Sequence, residues 1–133
     1  MEDTPVTDPS IAENDVEIDE TARLIASNKV EGTAVYNRDG EKLGSVYNFM
    51  VDKQSGQVEY AVLSFGGLFG FGGDYYPLPW DVLSYDTDRG GYVVNIDKSL
   101  LENAPRYGSN AEPAFDLEYG RSVYGYYGLG YPI

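Results

Sequence analysis

Cysteine and histidine are both absent from this 133-residue sequence. Without cysteine there is no disulfide framework, no thiolate nucleophile and no zinc site built on sulfur. Without histidine the chain lacks the commonest metal ligand and the usual general base near neutral pH. These two absences remove most nucleophile–base pairs and most transition-metal sites. We therefore predict no catalytic residue, no metal site and no cofactor.

Positive charge is scarce, with 9 Lys and Arg against 22 Asp and Glu and a formal net charge of −13. Nucleic-acid binding draws most of its affinity from cations that neutralise phosphates, and anionic membranes attract basic segments. The composition therefore disfavours nucleic acid as a partner. A basic or neutral protein partner fits the charge better.

Long apolar runs are missing as well. No stretch approaches the roughly 20 apolar residues that span a bilayer, and the N-terminus has no apolar signal core. We expect a cytoplasmic protein without a transmembrane segment, and peripheral association with a membrane stays open.

The residues that are present divide the sequence into three zones. Residues 1–21 hold eight acidic and no basic side chains, which predicts an acidic disordered leader. Residues 22–107 are rich in Val and Tyr and predict one folded domain. Tyr and Gly dominate residues 108–133, which predict a weakly ordered tail. The spacing of Phe115, Tyr119, Ser122, Val123 and Tyr126 suits one face of a short helix within that tail.

The middle zone alternates strand-length runs with turn signals. Asp-Gly and Gly-Gly pairs supply the positive φ angles that tight hairpins need. Short hairpin-linked strands predict an all-β fold, a small antiparallel sheet closed into a barrel, because closure removes exposed edges. The predicted strands, dense in β-branched and aromatic residues, are Gly32–Tyr36, Lys42–Asp52, Gln57–Phe65 and Tyr92–Ile96.

A glycine-rich segment, residues 66–73, invites comparison with a phosphate-binding loop. It has neither a G-x-G-x-x-G pattern nor a following Gly-Lys-Ser/Thr, so that comparison fails. Its apolar side chains are Leu68, Phe69 and Phe71, and burying each is worth on the order of 1.5–3 kcal/mol. Two interpretations stay open. Either the segment plugs one end of the barrel, or it is a contact surface for a partner or a second copy.

The segment that begins at Asp86 resembles part of a calcium-binding loop. Counted from there, Gly91 and Asp97 occupy the sixth and twelfth positions of an EF-hand loop. The fifth position is Gly90, which offers no side-chain ligand, and the flanking residues have strand rather than helix character. We therefore predict a hairpin turn.

A series of short motifs in the middle zone resembles one known family. The motifs are Gly32-x-x-Val35-Tyr36-Asn37-x-x-Gly40-Glu41-x-Leu43-Gly44-x-Val46, then Val51-Asp52, Gly56-x-Val58, Tyr60-Ala61-Val62-Leu63-Ser64-Phe65-Gly66-Gly67 and Pro77-Leu78-Pro79-Trp80. In this order they resemble the PRC-barrel family, and look closest to stand-alone bacterial members. The resemblance implies a strongly bent antiparallel sheet closed into a small PRC-type barrel. It also implies a docking role without catalytic residues, as in the barrels of the photosynthetic reaction centre H subunit and of a ribosome maturation factor.

Our leading hypothesis is a non-catalytic protein-interaction module that self-associates, with a homodimer as the first expectation. Its predicted contacts are the apolar side chains of the glycine-rich segment, already named, together with Tyr124, Tyr126 and Tyr127. One alternative is an accessory or assembly factor of a membrane energy-converting complex, which rests on the resemblance alone. Another is a small-molecule pocket at the mouth of the barrel, lined by Tyr75, Tyr76 and Trp80.

Overall fold

The computed structural model describes residues 24–65 and 73–131. The chain divides into a unit of residues 1–30 and a unit of residues 31–133. The described part of the first unit contains one helical turn, α1 (Ser27–Val30). None of the helices among the described residues is long and apolar enough to cross a bilayer.

The second unit is built on one sheet. Its strands are β1 (Ala34–Tyr36), β2 (Lys42–Val51), β3 (Val58–Ser64), β4 (Asp74–Pro79), β5 (Leu83–Asp86), β6 (Gly91–Val94) and β7 (Tyr107–Gly108). The helical elements are a 3₁₀ turn at Trp80–Val82 between β4 and β5, α2 (Lys98–Glu102) and α3 (Leu117–Tyr126). The predicted β-rich fold is therefore confirmed, and four of the strands overlap the predicted ones.

The strand order is β5-β6-β1-β2-β3-β4-β7. Five of the six pairs in this sheet are antiparallel, as predicted. The β1–β6 pair is parallel, so the expectation of a purely antiparallel sheet is wrong there. A hairpin forces antiparallel pairing, but β1 and β6 are not joined by one. The chain passes through four intervening strands between them, which is the kind of long connection that a parallel pair needs.

Side-chain acceptors fix the predicted turns. In the β5–β6 turn the Asp86 carboxylate accepts hydrogen bonds from the amides of Asp88 and Arg89. Its other oxygen lies 3.7 Å from the Arg89 guanidinium. The Asp52 carboxylate plays the same part in the β2–β3 turn, where it accepts from the amides of Gln54 and Ser55. A short side chain that satisfies nearby backbone donors stabilises a turn, so the segment at Asp86 is a hairpin turn, as predicted.

Strand β4 was not predicted because it contains Pro77 and Pro79, which lack a backbone N–H. Strand β3 pairs with β4 from Tyr75 to Pro79, whereas β7 pairs only with Asp74 and Tyr75 of β4. Both prolines therefore lie where no strand among the described residues flanks the second side of β4. A missing N–H is tolerated on such an edge.

The sheet is strongly curled. The Trp80 ring follows β4, and its centroid lies 5.6 Å from that of Tyr92 on β6. In a flat sheet these strands would lie about 19 Å apart, four steps of about 4.8 Å. The curl lets the inward side chains of distant strands share one core. Among the described residues no pairing joins the edge strands β5 and β7, so hydrogen-bonded closure stays a prediction.

The core lies on both faces of the sheet, inside the curl and under α3, where Val123 packs against Tyr60 of β3. The side chains that are fully buried include Val35, Val46, Ala61, Val62, Leu63, Leu78, Val94 and Leu101. Strand β3 supplies consecutive members of this set, as expected for its continuous apolar run.

The C-terminal tail is more ordered than the sequence predicted. Residues 117–126 form helix α3, and the Asp116 carboxylate caps its start by accepting a hydrogen bond from the Tyr119 amide at 2.9 Å. Val123 is fully buried, and it packs with Tyr124 against Tyr60 of β3. The expectation of a weakly ordered tail is corrected for this segment, because an apolar helix face buried against the sheet fixes it in place.

Candidate interaction surface

A pair of stacked tyrosines lies on the side of the sheet near the β3–β4 connection. Tyr47 belongs to β2, where the register shifts between Val46 and Asn48, and Tyr75 belongs to β4. The shift is a β-bulge, which re-aims the side chain that it carries. The two strands flank β3, and the ring centroids meet at 4.1 Å with an interplanar angle of 25°.

The two rings differ in their surroundings. Tyr47 is the outer ring and is 45% exposed. Tyr75 is half-buried, and Tyr107 of β7 packs beside it with a centroid separation of 5.6 Å. Tyr107 is itself only 9% exposed. The Tyr47 ring therefore packs on Tyr75, which strand pairing holds in a fixed position.

The electrostatic surroundings keep Tyr47 neutral. The Tyr75 phenol has the largest effect in raising the pKa of Tyr47, followed by partial burial and a hydrogen-bond contribution from Tyr75. The carboxylates of Glu112 and Glu31 raise it further. Burial, with a smaller contribution from Glu112, raises the pKa of Tyr107 to about 12. The surface therefore combines tyrosine rings with the carboxylates of Glu31 and Glu112.

A second aromatic group lies inside the curl. The Phe49 and Trp80 rings meet edge to face with centroids 4.9 Å apart, and Tyr92 contacts both. Tyr85 packs on the outer side of Tyr92 at 5.1 Å. These contacts belong to the packing of the curled sheet, since Tyr92 is only 5% exposed.

The predicted pocket residues do not converge. Tyr75 stacks on Tyr47, whereas Tyr76, the next residue of the strand, is buried and meets Phe65 at 4.8 Å. Successive strand residues point to opposite faces, which separates these two rings. Trp80 contacts a third set of rings, inside the curl. The structure thus distributes the three residues over three environments.

A surface cavity of about 280 Å³ lies elsewhere. Residues of the β1–β2 turn and of the segment after β6 line it, among them Asn37, Glu41, Val94 and Asp97. None of Tyr75, Tyr76 and Trp80 is among its lining residues.

The three tail tyrosines have unequal positions. Tyr124 is 3% exposed, and its hydroxyl donates to the Glu59 carbonyl, so its ring belongs to the core beneath α3. Tyr126 is half-buried and donates to the Leu100 carbonyl at 2.6 Å. Tyr127 is also half-buried, and burial raises its pKa. A contact role for the last two stays a prediction.

The other predicted contacts, Leu68, Phe69 and Phe71, lie outside the described residues. The described residue that the sequence did not single out is Tyr47. Its membership of the β2 run was predicted, but the bulge that turns its ring onto Tyr75 was not.

Comparison with known proteins agrees with this architecture. A family model described as the PRC-barrel domain matches residues 22–101, which is more than half of the chain. No curated protein matches the sequence. The resemblance found in the sequence motifs is therefore confirmed, and the chain belongs to the PRC-barrel domain family.

Proposed function

We propose that this chain is a non-catalytic protein-binding module whose contact surface is centred on the stacked rings of Tyr47 and Tyr75. The observation that carries the proposal is the exposure of Tyr47, which is 45% accessible although its ring is large and largely apolar. Tyrosine is enriched in the cores of protein interfaces, where it contributes a large contact area at little entropic cost.

The rigidity of the surface supports the same role. Tyr75 lies in β4 with Ser64 opposite it on β3 and Tyr107 opposite it on β7. A partner that covers Tyr47 therefore meets a ring that is already positioned, and less conformational entropy is lost on binding than with a mobile side chain. Family membership supports this role too, because the PRC-type barrel resembles known docking modules.

Recovery of partners from the native cell tests the proposal. The tagged full-length chain is compared with Tyr47→Ser and with Tyr85→Ser, a change at a tyrosine of nearly equal exposure, 46%, on β5. Quantitative mass spectrometry is expected to find proteins that the native chain and Tyr85→Ser retain and Tyr47→Ser loses. If the native chain and Tyr47→Ser retain the same proteins equally, or if nothing is enriched over the tag alone, the proposal is wrong.

Self-association is the finer part of the proposal, and its support comes from the sequence. Three large apolar side chains, Leu68, Phe69 and Phe71, occur within one glycine-rich segment, and exposed apolar patches on monomers are uncommon. We expect a dimer by light scattering of the concentrated protein. Changing all three residues to Ser should produce a folded monomer, and a native chain that is already monomeric would exclude this part.

A further inference from the structure

We propose that the outer face of the Tyr47 ring binds an arginine side chain from a basic segment of the partner, with Glu31 and Glu112 at the rim of the site. This inference rests on the proposed protein-binding function and gives the chemistry of the partner.

The ring geometry defines where a cation sits. The two rings are 4.1 Å apart and nearly parallel, so no group fits between them. The open face of the exposed ring is the outer face of Tyr47. A cation within about 6 Å of a ring centroid is attracted by the negative face of the π-system, and the stacked Tyr75 ring beneath adds π-density on the same axis.

No cation of the described chain occupies this position. Among residues 24–65 and 73–131, the cation–π contacts place Arg89 over Tyr36 at 5.7 Å and Arg106 over Tyr76 at 5.9 Å. Neither involves Tyr47. Arginine–tyrosine contacts thus occur twice among the described residues, and none of these residues places a cation over the exposed ring of Tyr47.

Two acidic side chains give the surroundings of the Tyr47 ring a negative charge. Glu31 and Glu112 are both exposed. The Gly32 amide donates to the Val46 carbonyl at 2.7 Å, so Glu31 lies beside the part of β2 that carries Tyr47, and the Ala111 amide donates to the Gly108 carbonyl at 3.0 Å, which keeps Glu112 near the end of β7. Consistent with this placement, both carboxylates raise the pKa of Tyr47. Neither takes part in an ion pair between described residues. Asp74 differs, since its carboxylate is 3.2 Å from the Arg106 guanidinium.

The net charge of the chain indicates which chemical class of partner it attracts. At a net charge of −13, the chain repels polyanions at long range and attracts a basic segment. Within that class, a flat, open ring face favours arginine over lysine, because the planar guanidinium stacks on an aromatic face whereas the compact ammonium is strongly hydrated.

A titration with short peptides tests the ring contact. The full-length chain is titrated with hexaarginine and, separately, with hexalysine at low salt, and dissociation constants and NMR shifts of the tyrosine rings are measured. We expect hexaarginine to bind more tightly and to shift the Tyr47 ring signals. Tyr47→Leu should weaken hexaarginine binding about two- to fivefold, the factor for one exposed cation–π contact. Tyr47→Phe, which keeps the ring, should bind within about twofold of the native chain.

Matched controls separate the site from general charge. Tyr85→Leu removes an equally exposed ring elsewhere and should leave the affinity unchanged. Glu31→Gln and Glu112→Gln should each weaken binding and reduce its salt dependence. Asp88→Asn, in the β5–β6 turn, should change binding by less than either. The circular dichroism spectrum and thermal midpoint of each variant check that it remains folded.

Several results would overturn the inference. Equal affinity of native and Tyr47→Leu chains for hexaarginine would reduce the attraction to net charge alone. Equal binding of both peptides would remove the preference for arginine. Loss of self-association in Tyr47→Leu, without peptide binding to the native chain, would identify a second copy as the occupant. If cellular partners still depend on Tyr47 while hexaarginine does not bind, the protein-binding proposal stands and only the arginine assignment fails.

Discussion

At the scale of single residues, Gly44 occupies a point where β2 approaches the end of β3. A Cβ atom at this position would press on the Ser64 carbonyl oxygen and would lie 2.9 Å from the Phe65 Cα. Both obstacles are backbone atoms, which cannot rotate out of the way as a side chain does. The glycine thus permits the close approach of the two strands.

We predict that Gly44→Ala lowers the free energy of unfolding by about 1–3 kcal/mol, the usual cost of overpacking. Gly125→Ala is the control. It lies in α3, where an added Cβ would meet nothing within 4 Å, and alanine is favoured over glycine inside a helix by about 1 kcal/mol. Urea denaturation measures both. Equal stability of Gly44→Ala and the native chain would contradict the close approach.

The role of a single residue is predictable from the sequence where its near neighbours in the chain determine it. The segment at Asp86 is predicted to be a hairpin turn because Gly-Gly supplies positive φ between two strand-like runs, and in the structure Gly90 has a φ of 66° while the Asp86 carboxylate accepts from the turn amides. The Tyr47–Tyr75 contact was not predictable in the same way. It depends on a bulge and on a strand 28 residues further along the chain, and neither is encoded in the neighbours of Tyr47.

At the scale of elements, helix α3 is anchored by the buried side chains of Val123 and Tyr124. Val123 is fully buried against the aromatic rings of Tyr60 and Tyr124, whereas its neighbour Ser122 is exposed. Gly120, one turn earlier, lies directly under the Tyr131 ring, and a Cβ there would come within 2.6 Å of it. The residues after α3 therefore fold back so that the Tyr131 ring packs against Gly120.

We predict that Val123→Ala lowers the free energy of unfolding by about 1–3 kcal/mol through lost burial and a residual cavity. Ser122→Ala, on the exposed side of the same turn, should change it by less than about 0.5 kcal/mol. Chemical denaturation gives the two values, and hydrogen exchange of the α3 amides reports whether the helix stays in place. A loss no larger for Val123→Ala than for Ser122→Ala would mean that α3 is not docked.

Among the helices and strands too, features set by neighbouring residues were predicted, whereas features set by contacts distant in the chain were not. The apolar run of β3 and the helical spacing of Tyr119 and Val123 are local signals, and both elements were predicted. Strand β4 was missed because its prolines argue against a strand unless the edge position is known. The sequence left the docking of α3 open, because its partner Tyr60 lies more than fifty residues away in the chain.

At the scale of the whole molecule, the buried tyrosines make stability depend on pH in alkaline solution. Burial raises the pKa of Tyr107 and of Tyr124 to about 12, from an ordinary value of 10.0. Below pH 10 both phenols are protonated in the folded and unfolded chains, and stability is fully present. Between pH 10 and pH 12 the unfolded chain has released these protons and the folded chain has not, so stability falls as pH rises.

We therefore predict a free energy of unfolding that declines above pH 10, by up to about 1.4 kcal/mol per pH unit for each such tyrosine. Urea denaturation at a series of alkaline pH values measures the slope. The double variant Tyr107→Phe/Tyr124→Phe should have a shallower slope, whatever its stability at neutral pH. A flat profile across this range would contradict the burial of these phenols.

The curl of the sheet brings Trp80, in the turn after β4, against Tyr92 of β6. Proton–proton NOE spectra of the native chain test this most directly. The account predicts cross-peaks between the Trp80 indole and the rings of Tyr92 and Phe49. If the Tyr85–Tyr92 cross-peaks of the β5–β6 hairpin are present while those between Trp80 and Tyr92 are missing, the sheet is not curled in this way and the account is wrong.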